Sequence, residues 1–155
     1  MPNLNPALFS SNRADWGTPW DLFRETERKY GPFDLDVCAA SGNAKCPQYF
    51  SPADDALSRQ WAGRCWMNPP YGRVIAQWVE KAWLEIFFKN ADRVVCLLPA
   101  RTDTRWWHDY VLKYAARIDF IRGRVKFEGA AHNAPFPSAI AVFDRSSASD
   151  IIYRS

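Results

Sequence analysis

Apolar strand-like runs and amphipathic helical patterns take turns along most of this chain, and that alternation leaves few folds open. Residues 33–39 (FDLDVCA), 64–68 and 93–98 read as buried strands, with 117–121 and 139–143 as two more. Between them the periodicity predicts a helix over 74–89, where Ile75, Trp78, Val79, Ala82 and Ile86 recur at three- and four-residue steps. A second is predicted over 104–115, with Trp106, Trp107, Tyr110, Val111 and Tyr114. Adjacent Trp106 and Trp107 diverge around a regular helix, so one of them is expected to face outward or to lie at the edge of the groove. An earlier helix is predicted over 20–30, with Thr18 as N-cap, Pro19 at the first helical position and Gly31-Pro32 as the stop. Trp20, Phe23 and Tyr30 are the candidates for its packed face. Strands separated by helices pair side by side in parallel, which predicts an α/β fold with a mostly parallel sheet. The last two strands have no helix between them and predict an antiparallel hairpin at one edge.

The remaining segments are plainer. Residues 40–63 read as loop, with Tyr49 and Phe50 extended and a short helix in DDALSRQW. Residues 1–15 are rich in Asn, Ser and Pro and read as a loose arm, leaving 16–155 as a single domain. At 155 residues there is no room for a catalytic domain plus a separate target-recognition domain. With 48% hydrophobic and 24% charged residues the chain is not of a disordered type. It holds no apolar run of the roughly 18 to 20 residues that cross a membrane, and its first residues lack a signal-peptide pattern. The expected location is the cytoplasm. A net charge of +3 permits an anionic partner without demanding one. Cys38, Cys46, Cys65 and Cys96 form no C-x-x-C pair and read as free thiols. A zinc site of Cys38 and Cys46 with His108 or His132 matches no familiar ligand spacing, so no metal is expected.

Ligands in parallel sheets bind beyond the carboxyl ends of the strands, and one such end carries Asn68-Pro69-Pro70-Tyr71. Two prolines in a row stiffen the loop and remove two backbone donors, which leaves carbonyls pointing outward. The Asn68 side-chain oxygen beside the Pro69 carbonyl makes two acceptors aimed at one point. A planar amino group with two hydrogens to give suits that pair. Tyr71 adds a ring on which a flat heterocycle can stack. The same four residues also suit a plain Pro-rich turn with Tyr71 packed inward.

Several segments together resemble the phage DNA N6-adenine methyltransferase family: WGTPWDLF, FDLDVCAA, DDALSRQW, WMNPPYG, LLPARTDTRWW and the late GRVKF. The resemblance runs over about residues 16–143, and NPPY is its most specific motif. It implies a compact, reduced Rossmann-like fold that uses S-adenosylmethionine as cofactor and double-stranded DNA as partner, in a phage or prophage setting. It further implies that Asn68 and the Pro69 carbonyl accept hydrogen bonds from the N6 amine of a flipped-out adenine, and that Tyr71 stacks on that base. Pro70 completes the motif. The amine so polarised attacks the donor methyl in line.

On the cofactor side, Asp36-Val37-Cys38-Ala39-Ala40-Ser41-Gly42 resembles the family's D-P-F-A-G-S-G turn, with Ala40 in place of the central Gly. This implies that Asp36 binds the methionine ammonium and that Ala39 and Gly42 let the backbone approach the ligand. Thr18-Pro19 resembles the upstream methionine-binding motif, and Asp55 the acid that accepts from the cofactor's adenine amine. Asp54 is its local competitor, and either acid also suits a helix cap. Arg101 and Arg105 are candidate phosphate contacts, as are Arg122, Arg124 and Lys126, which alternate along a late hairpin. A solvated strand face suits the last three equally. Two readings compete with adenine N6 in DNA. One is the same chemistry on cytosine N4, RNA adenine or a protein glutamine. The other is an inactive methyltransferase-like fold that only binds nucleic acid. A homodimer is compatible with the sequence.

Overall fold

The computed structural model describes residues 16–145, together with the backbone of a short strand at 152–154. The arm expected over 1–15 lies outside the described residues. Helix α1 is Trp20–Tyr30, with Asp21 in its first turn and Arg28 and Lys29 in its last, each charge set against the helix dipole. Its buried face is Phe23, Thr26 and Tyr30. Trp20, expected on that face, is 43% exposed, because it opens the first turn before the helix reaches the sheet. Pro19, not Thr18, is the N-cap, and no side chain caps the helix.

Strand β1 is only Leu35–Asp36, shorter than the run expected over 33–39. The chain beyond it turns back beside β1: the Phe50 amide bonds the Asp36 carbonyl and the Asp36 amide bonds the Gln48 carbonyl. Tyr49 makes a single bridge to Asp36. The short helix expected in DDALSRQW is two 3-10 turns, Pro52–Asp54 and Ala56–Ser58, divided by Asp55 in the left-handed region at φ 52°. A non-glycine residue there costs on the order of 1–3 kcal/mol and is held by its surroundings.

Strand β2 is Gly63–Met67, helix α2 is Ile75–Phe87 and strand β3 is Ala91–Pro99. Helix α2 buries Ile75, Val79, Ala82 and Ile86 against the sheet. It stops because Lys89 adopts the left-handed conformation at φ 61° and the Asn90 amide reaches back to the Glu85 carbonyl. The next helix departs from the sequence reading. It contains a π turn, Trp107–Val111, followed by one α turn, Leu112–Tyr114. Trp106 and Trp107 are both buried and meet edge to face at 5.8 Å. The wider π turn changes the angular spacing on which the expectation of an outward ring rested.

Strands β4 (Arg117–Phe120), β5 (Ser138–Asp144) and β6 (Ile152–Arg154) complete a mixed sheet of order β1-β2-β3-β5-β4-β6. Pairing is parallel from β1 to β3 and between β4 and β6, and antiparallel on both sides of β5. The antiparallel pair is therefore not at an edge: β5 inserts between β3 and β4. Every residue of β5 is buried, as a strand flanked on both sides requires. The expected basic hairpin is absent, since residues 121–137 lie outside any strand. Arg122, Arg124 and Lys126 are nevertheless exposed while Val125 and Phe127 are buried.

The core is aromatic near the site. Trp66 of β2 is fully buried, edge on to Phe23 at 5.3 Å and tilted against Phe33 at 5.8 Å. Such ring pairs add about 0.5–1.5 kcal/mol each beyond the area they bury. They lock α1 onto β2, which places the start of α1 beside the loop that follows β2.

Candidate active site

The loops after β1 and β2 face one another across a cavity of about 330 Å³. From the first loop come Val37, Ala39, Asn43 and Lys45, then Phe50 to Pro52 and Asp55 to Leu57. From the second come Asn68, Pro69, Pro70 and Tyr71. Trp16 to Thr18, Trp78 of α2 and Phe127 close it. That volume lies at the lower end of small-molecule sites, with apolar walls and a few polar groups.

Thr18, Ala39, Asp55, Asn68, Pro69, Pro70 and Tyr71, all singled out in the sequence, are brought together around this cavity. Pro19, Asp36 and Gly42 do not line it. Gly42 is exposed, and a Cβ added there meets open space. The altered turn is closed instead by Asn43, whose side-chain oxygen accepts the Ala40 amide at 2.8 Å.

Asp36 is 2% exposed. Its two oxygens accept the Cys38 amide at 3.2 Å and the Lys45 amide at 3.0 Å, so the carboxyl pins both ends of the loop that forms one cavity wall. Burial pushes its pKa up to about 7, against the opposing pull of those two amides and of the Lys45 charge.

The two neighbouring acids after this loop divide their work. Asp54 accepts from the Ser51 amide and hydroxyl in a capping box, and these bonds hold its carboxyl below the ordinary value. Asp55 borders the cavity. The expected outcome is that Asp54→Ala lowers thermal stability with little effect on ligand affinity. Asp55→Ala is expected to weaken binding of an adenosine-bearing ligand by about 10-fold, the loss of roughly one hydrogen bond to a charged group, as read by calorimetry.

At the NPPY loop, the Asn68 side-chain nitrogen donates to the Thr18 hydroxyl at 3.1 Å and to the Trp16 carbonyl at 3.3 Å. The Asn68 oxygen faces the other way, with the Tyr71 hydroxyl at 3.4 Å. Asn68 and Pro69 both border the cavity. Two acceptors of the kind the sequence implied therefore stand at the end of β2. The Tyr71 ring packs edge on against Phe127 at 5.8 Å and Phe136 at 5.4 Å, and Phe127 stacks on Trp16 at 6.0 Å.

Sequence reasoning missed Trp16, Asn43, Lys45, Phe50, Trp78 and Phe127 as cavity residues. Phe127 and Trp16 had a signal, since they fall in the GRVKF and WGTPWDLF segments that carried part of the resemblance. The other four had none specific enough. Lys45 is buried, ion-paired with Glu128 and seated 4.1 Å over the Trp20 ring.

The five basic candidates Arg101, Arg105, Arg122, Arg124 and Lys126 are all exposed, and none lines the cavity. Arg101 lies over the Phe136 ring at 5.6 Å, one ring away from Tyr71. His108 contacts the Thr102 carbonyl at 2.7 Å. Among the described residues no three His, Cys, Asp or Glu side chains gather as a metal site. Burial pushes the Cys46 and Cys65 thiols up to about 12, which keeps them as unreactive thiols. No helix among the described residues is long and apolar enough to cross a membrane.

The chain thus joins a mixed α/β sheet to a cavity at one strand end, lined by the Asn68–Tyr71 loop and an aromatic cluster. The family model for DNA N-6-adenine-methyltransferase (Dam) matches residues 6–153, and the chain belongs to that family. It is 35% identical over 120 residues to the DNA N-6-adenine-methyltransferase of Haemophilus phage HP1 (strain HP1c1), a match covering 76% of this chain and 68% of the relative. It is 34% identical over 94 residues to the DNA N-6-adenine-methyltransferase of Escherichia phage T1, covering 59% of this chain and 38% of that relative.

Proposed function

We propose that this protein transfers a methyl group from S-adenosylmethionine to the N6 amine of adenine in double-stranded DNA. Membership of the Dam family and the names of its relatives support adenine N6 as the target. The observation that carries the reading is that one cavity is lined by Asn68, Pro69 and Tyr71 and, from the facing loop, by Asp55.

The residues present suit the donor. The cavity volume, the Phe50 and Trp78 rings and the Asp55 carboxylate match a nucleoside with an exocyclic amine. The loop pinned by Asp36 supplies Ala39, Asn43 and Lys45 for the amino-acid end, and Thr18 borders the cavity. When bound, S-adenosylmethionine supplies an electrophilic methyl group on a positively charged sulfur. The protein's own part is to bind and orient. Asn68 Oδ1 and the Pro69 carbonyl accept the two N6 hydrogens, drawing the nitrogen lone pair out of the purine ring system and toward the donor. Tyr71 holds the plane of the base, and Pro70 keeps the loop rigid. No general base is required, because the methylated nitrogen sheds its extra proton readily.

The fold is read as a reduced Rossmann-like methyltransferase domain over 16–155. Its exposed basic side chains and loops are the candidates for DNA contact. The setting is the cytoplasm of a bacterial host, where phage or prophage DNA resides. Replacing Arg122, Arg124 and Lys126 together by alanine is expected to lower the slope of log affinity against log salt by about 3, roughly one per lost phosphate contact. An unchanged slope removes these three from the interface.

Competing targets are separated by offering duplex DNA, RNA and protein with methyl-labelled donor and identifying the labelled product. Label in N6-methyladenine from DNA is the expected result. Label only in N4-methylcytosine, RNA or protein overturns the substrate, and donor binding with no transfer overturns the activity.

A further inference from the structure

A primary amide has a donor end and an acceptor end of nearly identical shape, so a fold that uses one end must fix which way it points. In Asn68 the donor end is fixed. Its two hydrogens go to Thr18 Oγ1 at 3.1 Å and to the Trp16 carbonyl at 3.3 Å. A carbonyl only accepts, so it rejects the flipped amide. Thr18, a buried residue at 1% exposure, adds a second anchor through its hydroxyl. Oδ1 is thereby turned to the Tyr71 side, where the 3.4 Å approach of the hydroxyl is long for an O–H···O bond.

The anchoring segment is itself held. The Glu128 amide donates to the Gly17 carbonyl at 2.9 Å, and Phe127 stacks on Trp16. A Cβ on Gly17 would lie 2.5 Å from a Glu128 carboxylate oxygen and 3.2 Å from Asn43 Cβ, so a side chain there would displace the Glu128 carboxylate. The Thr18 side chain does not cap α1, whose N-cap is Pro19 without a side-chain bond.

We infer that Thr18 is a positioning residue for the methyl acceptor. With the Trp16 carbonyl it sets the Asn68 amide so that Oδ1, and not the NH2 group, meets the N6 amine. This rests on the methyl-transfer reading above and changes the role that resemblance gives to Thr18, from donor ligand to orienter of Asn68. Loss of the Thr18 hydroxyl leaves the amide on one anchor and free to rotate, which acts on the reacting amine and not on donor affinity.

The test compares wild type with Thr18→Val, which keeps the shape and removes the hydroxyl, and with Thr18→Ser, which restores it. Three quantities are read: kcat for DNA methylation, the Kd for S-adenosylhomocysteine, and the hydrogen-exchange rate of the Asn68 side-chain amide by NMR, its signal assigned from Asn68→Ala. The expected result for Thr18→Val is a kcat about 10-fold lower, the equivalent of one net hydrogen bond. Its Kd stays within about twofold, and its Asn68 amide exchanges at least about 10-fold faster. Thr18→Ser is expected to recover all three. A Kd that rises while kcat holds makes Thr18 a donor ligand and overturns the inference, as does an unchanged exchange rate. Wild type that methylates no DNA would sink the functional reading instead, and the exchange measurement would still decide whether Thr18 holds the Asn68 amide.

Discussion

Asn68→Ala is expected to lower the rate of methyl transfer by about 10²–10³-fold, the usual cost of removing one preorganised group that acts on developing charge. Donor affinity is expected to stay within about twofold. The reason is positional. Asn68 stands at the end of β2, its amide nitrogen is taken by Thr18 and Trp16, and its oxygen is the end left for the amine. Asp55 and the loop pinned by Asp36 are untouched by the change. Single-turnover transfer of label measures the first quantity and calorimetry with S-adenosylhomocysteine the second. Retained transfer would remove Asn68 from the mechanism.

Asp36→Ala is the other large effect, and it falls on both binding and stability. The Cys38 and Lys45 amides lose their acceptor, at about 1–3 kcal/mol each if left unpaired. The loop that carries Ala39, Asn43 and Lys45 loosens, and donor Kd is expected to rise on the order of 10²-fold. The stability change depends on pH in a definite direction. Folding raises the Asp36 pKa from 3.8 to about 7, so the folded protein binds a proton that the unfolded chain has released between those values. That contribution is fully present below about pH 4, falls as pH rises through 7, and amounts at most to about 4 kcal/mol at ~1.4 kcal/mol per unit. Denaturant midpoints of wild type and variant are therefore expected to differ more at pH 5.5 than at pH 8. A gap that widens with pH would show that burial does not dominate the Asp36 environment.

How much of this was legible in the sequence divides by physical scale. The helices over 20–30 and 74–89 were readable from periodicity, and the strand before NPPY from its apolar run and abrupt proline stop. The order of β5 and β4 was not, because insertion of a strand between two others is a long-range choice that no local pattern encodes. The two buried tryptophans were misread because a π turn is invisible to a 3.6-residue period. At the site, Asn68 to Tyr71, Asp55 and Ala39 were found as motif residues. Asp54 and Asp55 look alike in sequence, and only the Ser51 capping box tells which one is free to face a ligand. Thr18 was read both as a cap and as part of the methionine-binding motif, and its bond spans 50 positions to Asn68, beyond any local pattern. Lys45 and Phe127 reach the cavity through folded loops, which leaves no spacing to read.

The central claim is tested most directly by digesting duplex DNA to nucleosides after incubation with methyl-labelled S-adenosylmethionine and the intact protein. The account predicts label in N6-methyladenine with wild type, and a loss of that label of about 10²-fold or more with Asn68→Ala. Label that persists in N6-methyladenine with Asn68→Ala, or that appears only in another base, would contradict it.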